Sequence, residues 1–173
     1  VNHKNPVQGL SSQQLRDIYE DKIKQWDAVG GKKEPIRALW RERDSGSREL
    51  FDELVMKGKQ LPEPEGRRRQ DMYAYSMAGP YNRLTQEENA LGYSVHYYER
   101  YMAMSPLTRT IAVDGVEPTA ETIASGKYPF VTEVYAVYRE GEPADSPGTK
   151  LLNWLLSDEG QAVVRESGYV PAK

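Results

Sequence analysis

Apolar positions in the first third of the chain change from a helical spacing to a strand spacing and back. A candidate capping box at 11–14 precedes apolar residues at 15, 18 and 19, which predicts a short helix. Residues 36–41 alternate with a period of two, which predicts a strand. Apolar residues at 50, 51, 54 and 55 then form the single stripe of a helix. Residues 41–48, which read R-E-R-D-S-G-S-R, are therefore predicted to form a strand-to-helix turn.

The rest of the chain continues the alternation of strands and helices. Residues 90–95, 108–113 and 128–138 are rich in strand-forming residues, and the last run carries the longest strand signal. Helices are predicted shortly after Pro118 and again from Ser146, with a further cap at Ser157. Because strands alternate with helices, the sequence predicts an α/β fold with a mixed, mostly parallel sheet flanked by helices on both faces.

Composition narrows the class of protein. The chain carries 23 Lys and Arg against 26 Asp and Glu, a formal net charge of −3, so it lacks the global basic field of a nucleic-acid binder. Its 173 residues fit one domain, or a domain with a tail. No apolar run reaches the roughly 18 residues of a membrane helix, and the absence of cysteine excludes disulfides and Cys-based zinc sites. Since the chain starts at Val1 without a signal sequence, we expect that residues before it have been removed.

The turn at 41–48 places many hydrogen-bond donors at the predicted start of a helix. A helix N-terminus offers N–H groups without intrahelical acceptors and a partial positive charge. Gly46 lets the main chain approach a ligand closely, and a guanidinium from Arg41 or Arg48 supplies a charge-assisted fork. This donor set suits a tetrahedral oxyanion. The candidate ligands are Arg41, Ser45, Gly46, Ser47 and Arg48.

Other interpretations of the turn follow from the same residues. The local pattern fits a purely structural turn as well as it fits an anion site. In that interpretation Ser47 caps the helix, Gly46 reverses the chain and the arginines are solvated. The turn is neither a P-loop nor a G-x-S-x-G nucleophile elbow, because the residues that define those motifs are absent. A serine hydrolase would need a histidine with an acid partner, and neither His3 nor His96 has a neighbouring acid motif. We therefore expect a binding protein and not an enzyme.

Three further features bear on partners. Arg67, Arg68 and Arg69 lie in a predicted surface loop, where they either dock an acidic partner or are simply solvated. The tyrosines at 97, 98 and 101 lack densely interleaved basic residues, so we expect core or surface packing and no nucleic-acid partner. No group of His, Asp and Glu has metal-ligand spacing, so we expect no metal and no cofactor.

A series of motifs, spread over nearly the whole chain, carries a family resemblance. They are Asn5-Pro6-Val7, Ile23-x-x-Trp26 with Val29-Gly30-Gly31, Arg41-x-x-x-Ser45-Gly46-Ser47-Arg48, Leu91-Gly92-Tyr93, Val116-x-Pro118-Thr119-x-x-Thr122-Ile123, Gly126-x-Tyr128-Pro129, Leu156-Ser157-x-Glu159-Gly160-Gln161 and Gly168-Tyr169-Val170-Pro171. In this order they resemble the PstS-like phosphate-binding proteins of bacterial ABC importers, which are two-lobed periplasmic binding proteins of the type II architecture. The resemblance implies a three-layer α/β/α lobe.

The resemblance also implies roles for the residues of the turn. The residues that it assigns to inorganic phosphate, or to a similar oxyanion, are Arg41, Ser45, Gly46 and Ser47. Many members have an acidic residue two positions after the arginine and then a glycine, whereas this chain has Arg43 and Asp44. Phosphate at neutral pH carries a proton that needs an acceptor, whereas sulfate carries none. Asp44 is therefore a secondary candidate, as the acceptor of that proton, and Arg48 is another, as a further donor.

By the same resemblance, residues 1–138 form the second, ligand-binding lobe, and 139–173 form a return segment whose helices pack on the first lobe in full-length relatives. The resemblance implies that the first lobe is missing from this sequence. We therefore expect the oxyanion, a first lobe and an ABC permease as partners, in an extracytoplasmic location typical of lipoproteins. The apolar residues of the return segment would dock on their own lobe or form a homodimer through the C-terminal helices. The alternative function is a sensor or surface-protein domain with a degenerate anion site.

Overall fold

The computed structural model describes residues 1–61, 64 and 72–172. The chain divides into two compact units, Val1–Pro118 and Thr119–Lys173. The division predicted from the sequence lies at residue 138, and the assignment of the two parts to lobes stays a prediction. The basic run at 67–69 lies outside the described residues.

The first unit alternates short strands with helices. Its strands are β1 (Gly9–Leu10), β2 (Arg37–Ala38), β3 (Ala90–Leu91) and β4 (Ala112–Val113). Its helices are α1 (Ser12–Tyr19), a 3-10 turn (Trp26–Val29), α2 (Gly46–Leu50) running into a π-helical turn (Phe51–Val55), α3 (Gly79–Gln86) and α4 (His96–Tyr101). β1 pairs with β4 and β2 with β3, both in parallel. Parallel pairing of strands that are distant in sequence agrees with the predicted α/β class.

The first helix begins where its cap residues predict. The N–H of Gln14 donates to the Ser11 hydroxyl at 3.0 Å, and the N–H of Ser11 donates to the Gln14 side chain at 2.8 Å. This reciprocal pair satisfies N–H groups that the helix itself leaves open. Leu15, Ile18 and Tyr19 are buried, as their spacing predicted.

β2 carries the chain from the core to the turn. The N–H of Leu39 donates to the carbonyl of Leu91 at 2.7 Å, and Trp40 forms a parallel bridge with Tyr73. Leu39 is one of a group of buried core residues with Ala74, Leu84 and Ala90. Burying a leucine side chain stabilises a fold by about 1.5 to 3 kcal/mol, so this strand end is firmly held. The strand predicted at 36–41 is thus present, although its regular ladder is shorter.

The second unit consists of three described helices, α5 (Ala120–Ala124), α6 (Pro147–Leu155) and α7 (Asp158–Glu166). Ser146 and Ser157 cap the last two, as predicted, by accepting the N–H of Thr149 and of Gly160. A Cβ added to Gly160 would lie 2.0 Å from the carbonyl oxygen of Trp154. Only glycine therefore allows α6 and α7 to approach this closely. No helix within the described residues is both long enough and apolar enough to span a membrane.

The strand predicted at 128–138 is not formed. These residues have no regular secondary structure, and every side chain from 131 to 138 is exposed, including Val134 at 81% and Val137 at 92%. Valine and tyrosine favour strands because they pack well on a pleated, half-buried surface. Within the described residues this segment pairs with no strand, so its N–H and C=O groups have no ladder to join. The prediction from local composition was therefore wrong for this chain.

Candidate functional site

The turn between β2 and α2 is held by the carbonyl of Ser45. The N–H groups of Arg48 and Glu49 donate to this carbonyl at 2.8 and 3.1 Å, which makes Ser45 the N-cap of α2. Its side chain makes no capping hydrogen bond. Ser47 lies inside the first helical turn, so the interpretation in which Ser47 caps the helix is wrong. The serine hydroxyls at 45 and 47 are not used to start the helix.

Two main-chain N–H groups at the start of α2 are open. Gly46 and Ser47 are the first two residues of the helix, where no intrahelical acceptor exists. Across residues 1–61, 64 and 72–172, neither N–H has a hydrogen-bond acceptor. A Cβ placed on Gly46 would meet no heavy atom of another described segment within 4 Å, so these segments leave the space beside this residue open. A ligand that approaches the turn therefore meets two unused donors.

The guanidinium of Arg41 reaches the same helix start from the end of β2. Nη2 donates to the Ser45 hydroxyl at 3.3 Å and lies 3.8 Å from the sulfur of Met77, and Nη1 donates to the carbonyl of Ser76. Arg41 is only 6% exposed, and its Nε is buried without a hydrogen-bond partner among the described residues. No described carboxylate forms an ion pair with it. A buried cation in this state is costly unless an anion compensates its charge.

The Ser45 hydroxyl is oriented by Arg41. Because its oxygen accepts from Arg41 Nη2, its own proton points to another acceptor. The described residues provide no such acceptor for it, so this proton is available to a bound oxyanion. Arg41, Ser45 and the N–H groups of α2 therefore lie together at the start of the helix, and their role as ligands stays a prediction.

Ser76 was not identified from the sequence. Its φ is 60°, in the left-handed region that non-glycine residues seldom adopt, and its carbonyl accepts from Arg41 Nη1. A backbone in this conformation persists only when its surroundings hold it there. No sequence signal marks Ser76, because the contact joins residues that lie 35 positions apart.

Asp44 and Arg48, the secondary candidates, lie in contrasting environments. Asp44 is exposed on the turn, and no hydrogen bond to a described residue involves its carboxylate. Arg48 is buried and donates to Asp52 at 2.7 Å, so it is engaged within the protein. The structure therefore joins Arg41 and Ser45 directly but leaves Asp44 at the surface.

The alternative chemistries find little support among the described residues. His3 lies near the carbonyl of Leu107 at 3.1 Å, and neither His3 nor His96 hydrogen-bonds to Ser45 or Ser47. Within the same described ranges no cluster of three His, Asp or Glu residues is arranged to hold a metal ion. The chemistry that the turn offers is hydrogen-bond donation together with the positive charge of Arg41 at the helix start.

Comparison with known proteins places this chain in a family. The model of the PBP superfamily domain matches residues 1–159, which is most of the chain. The chain belongs to this family. Membership of the PBP superfamily, together with the parallel strand pairs, confirms the α/β fold class of a type II periplasmic binding protein that the sequence motifs implied.

Named relatives of this PBP-superfamily chain are longer than the chain itself. It is 29% identical over 176 residues to the phosphate-binding protein PstS of Bacillus subtilis (strain 168). That alignment covers 99% of this chain and 53% of that protein. It is 25% identical over 170 residues to the phosphate-binding protein PstS of Borreliella burgdorferi, covering 96% of this chain and 60% of that protein. The chain thus spans little more than half the length of these relatives. The resemblance to PstS-like proteins is confirmed.

Solved structures agree with the fold. A Clostridium perfringens protein described as a phosphate ABC transporter substrate-binding protein with bound phosphate matches with a TM-score of 0.77 and 27% identity. That match covers 100% of this chain and 67% of that one. An ABC-type phosphate transport receptor from Vibrio cholerae matches with a TM-score of 0.74 at 22% identity, over 98% of this chain and 66% of that one, and shows the fold alone.

Proposed function

We propose that this PBP-superfamily chain is the phosphate-binding part of an extracytoplasmic substrate-binding protein that delivers phosphate to an ABC importer. The observation that carries the proposal is the buried guanidinium of Arg41, which reaches the N-cap of α2 and whose Nε–H finds no partner in the described part of the chain. Named relatives and a phosphate-bound structural neighbour support it. On this proposal the chain is a binding protein and performs no catalysis.

The donors of the turn match the chemistry of a tetrahedral oxyanion. Its oxygens accept hydrogen bonds from main-chain N–H groups, hydroxyls and a guanidinium alike. In the proposed complex, Gly46 and Ser47 donate through their N–H groups, and Ser45 donates its hydroxyl proton. Arg41 compensates the charge of the anion, and the anion in turn removes the cost of a buried, unpaired cation. Each hydrogen bond to a charged group contributes about 1.5 to 3 kcal/mol when it is shielded from water.

We propose that the complete receptor has more parts than this chain, and the greater length of the relatives supports this. We propose that a first lobe adds further contacts to phosphate and that a permease receives the loaded protein. The second unit exposes large apolar side chains, among them Trp154 at 37%, Leu156 at 45% and Val163 at 46%. Such a surface is typical of one that another lobe or subunit covers. The first lobe is the occupant that we propose, and a homodimer through these C-terminal helices is the competing outcome.

The proposal is tested by titrating the chain with phosphate and following the phosphorus NMR signal, with sulfate as a competitor. A lobe that holds part of a site is expected to bind in the millimolar range, where this method remains sensitive. Saturable broadening or shift of the signal should appear in the wild type and be abolished in Arg41→Ala.

Arg37→Ala is the matched control for this titration. Arg37 lies on the same strand, but its guanidinium pairs with Glu87 at 3.2 Å instead of reaching the turn. We expect this variant to bind phosphate like the wild type. If both Arg37→Ala and Arg41→Ala lost phosphate binding equally, the phosphate site would not be at this turn. A wild type that shows no saturable binding would count against the proposal and favour the sensor or surface-protein alternative.

A further inference from the structure

The guanidinium of Arg48 is buried behind the turn, where Asp52, the carbonyl of Arg41 and the Trp40 ring are among the groups that hold it. Its Nε donates to Asp52 Oδ2 at 2.7 Å, and its Nη1 donates to the carbonyl oxygen of Arg41 at 3.4 Å. The guanidinium carbon lies 4.5 Å from the centre of the Trp40 ring, in a cation–π contact. Arg48 is 4% exposed, so these contacts are shielded from water.

Arg48 therefore acts on the main chain of the residue whose side chain reaches the proposed anion. Arg41 follows the last backbone pairing of its strand, which is the bridge between Trp40 and Tyr73. Beyond that point side chains replace the ladder: the N–H of Arg41 donates to the Tyr93 hydroxyl, and its carbonyl accepts from Arg48. When both the N–H and the carbonyl of a residue are held, the direction in which its side chain leaves the backbone is fixed as well.

We propose that Arg48 is a positioning residue for the anion site, which holds Arg41 in its binding orientation and does not itself contact the anion. The inference rests on the proposed function of the turn. Asp52, one helical turn further on, orients the Arg48 guanidinium, and the Trp40 ring supports its flat face. Binding residues that are held in place before the ligand arrives lose less freedom on binding, which strengthens affinity.

Two substitutions separate this role from a simple effect of charge. Arg48→Lys keeps the positive charge but loses the planar fork and the stacked guanidinium, and we expect phosphate binding to weaken about tenfold. Asp52→Asn removes a negative charge, so electrostatics alone would strengthen anion binding. Loss of the group that orients Arg48 should instead weaken binding about threefold. Wild-type affinity in Arg48→Lys, or tighter binding in Asp52→Asn, would overturn the proposal.

Val55→Ala is the control for general loosening of the helical segment. Val55 is buried in the π-helical turn that follows α2, so truncating it should lower the melting temperature. We expect it to leave phosphate affinity unchanged. If Val55→Ala and Arg48→Lys lose stability and affinity in the same proportion, Arg48 has only a structural role and the inference is wrong.

The side-chain NMR signals of the two arginines test whether Arg48 positions Arg41, even if the chain binds no phosphate. In the phosphate-free protein, Arg48→Lys should shift or broaden the Nε–H signal of Arg41, and unchanged signals would contradict a positioning role. When phosphate is added to the wild type, the Nε–H signal of Arg41 should move and that of Arg48 should stay. An Arg48 signal that moves as far as that of Arg41 would make Arg48 a direct ligand. If wild type binds no phosphate but Arg48→Lys still disturbs Arg41, the proposed function fails and the positioning role stands.

Discussion

The main-chain N–H of Arg41 donates to the phenolic oxygen of Tyr93 at 3.3 Å, although the two residues are 52 positions apart. The Tyr93 ring is stacked on Phe51, with ring centroids 4.2 Å apart and 16° between their planes. Burial raises the pKa of Tyr93 well above its ordinary value, so its hydroxyl stays neutral. The aromatic core thus supplies the acceptor that a strand neighbour would otherwise provide for Arg41.

Tyr93→Phe should therefore destabilise the protein although the ring is retained. The N–H of Arg41 would lose its acceptor, and an unsatisfied N–H that is shielded from water costs about 1 to 3 kcal/mol. Urea unfolding should show a lower midpoint, and phosphate should bind more weakly because Arg41 is less firmly held. Tyr75→Phe is the control, since Tyr75 is 53% exposed and its hydroxyl can bond to water. Equal stability of the two variants would show that the Arg41–Tyr93 bond contributes nothing.

Ser76→Gly should raise stability without changing phosphate binding. The left-handed φ of 60° costs a serine about 1 to 2 kcal/mol, and the extra freedom of glycine in the unfolded chain offsets about half of that gain. The carbonyl that accepts from Arg41 belongs to the main chain and is kept. Ser76→Val should instead lower stability and weaken binding, because a β-branched residue resists this conformation. Thermal melts and phosphorus NMR on both variants test the pair, and a valine variant with wild-type stability and affinity would refute it.

The sequence predicted the parts of the fold that local interactions determine. The capping box of α1 and the serine caps of α6 and α7 were predicted from a few neighbouring residues, and the structure confirms them. Strand lengths depend on a distant partner. The strand at 36–41 is shortened because side chains bond the N–H and the carbonyl of Arg41, and the run at 128–138 pairs with no strand in the part of the chain that the structure describes.

The candidate site also combines residues that are close in sequence with residues that only the fold brings together. Arg41, Ser45, Gly46 and Ser47 were identifiable because they follow one another in a single turn, and their role in binding stays a prediction. Ser76 and Tyr93 approach Arg41 from positions 35 and 52 residues away, which no local pattern reveals. Arg48 was read as a second donor to the anion. Its spacing of four from Asp52 was the signal that it pairs within the helix.

The stability of the first unit should depend on pH through Glu20. Hydrogen bonds from Lys22 at 2.5 Å and from Lys59 at 2.8 Å lower the pKa of Glu20 from 4.5 to about 2. Because the folded pKa is depressed, the unfolded chain binds more protons between these values. The contribution of Glu20 is therefore complete above pH 4.5 and is lost as the pH falls towards 2.

Glu20→Gln should flatten the acid limb of a plot of unfolding free energy against pH, measured by urea titration. Salt should reduce the effect, because both ion pairs lie at the surface. Glu53→Gln is the control, since Glu53 is exposed and forms no ion pair with a described residue. An acid limb that keeps the same slope in Glu20→Gln would show that the two lysines do not stabilise the fold through this carboxylate.

Phosphate and sulfate should bind the turn with affinities within about threefold of each other. On the proposed function each anion accepts from Arg41, Ser45 and the N–H groups of α2, and no carboxylate of a described residue forms an ion pair with Arg41. The proton on phosphate therefore finds no strong acceptor, and sulfate meets no repelling charge. Asp44, which is exposed, is the residue that could alter this balance.

Competition between the two anions, followed by phosphorus NMR, tests this balance in the wild type and in Asp44→Asn. We expect the same phosphate-to-sulfate ratio in both proteins. If Asp44 accepts the phosphate proton, the wild type should instead prefer phosphate strongly, and the variant should lose that preference because an amide cannot replace the charge of a carboxylate. An unchanged ratio near one would mean that this turn supplies affinity for a tetrahedral oxyanion, and that discrimination between phosphate and sulfate depends on groups outside it.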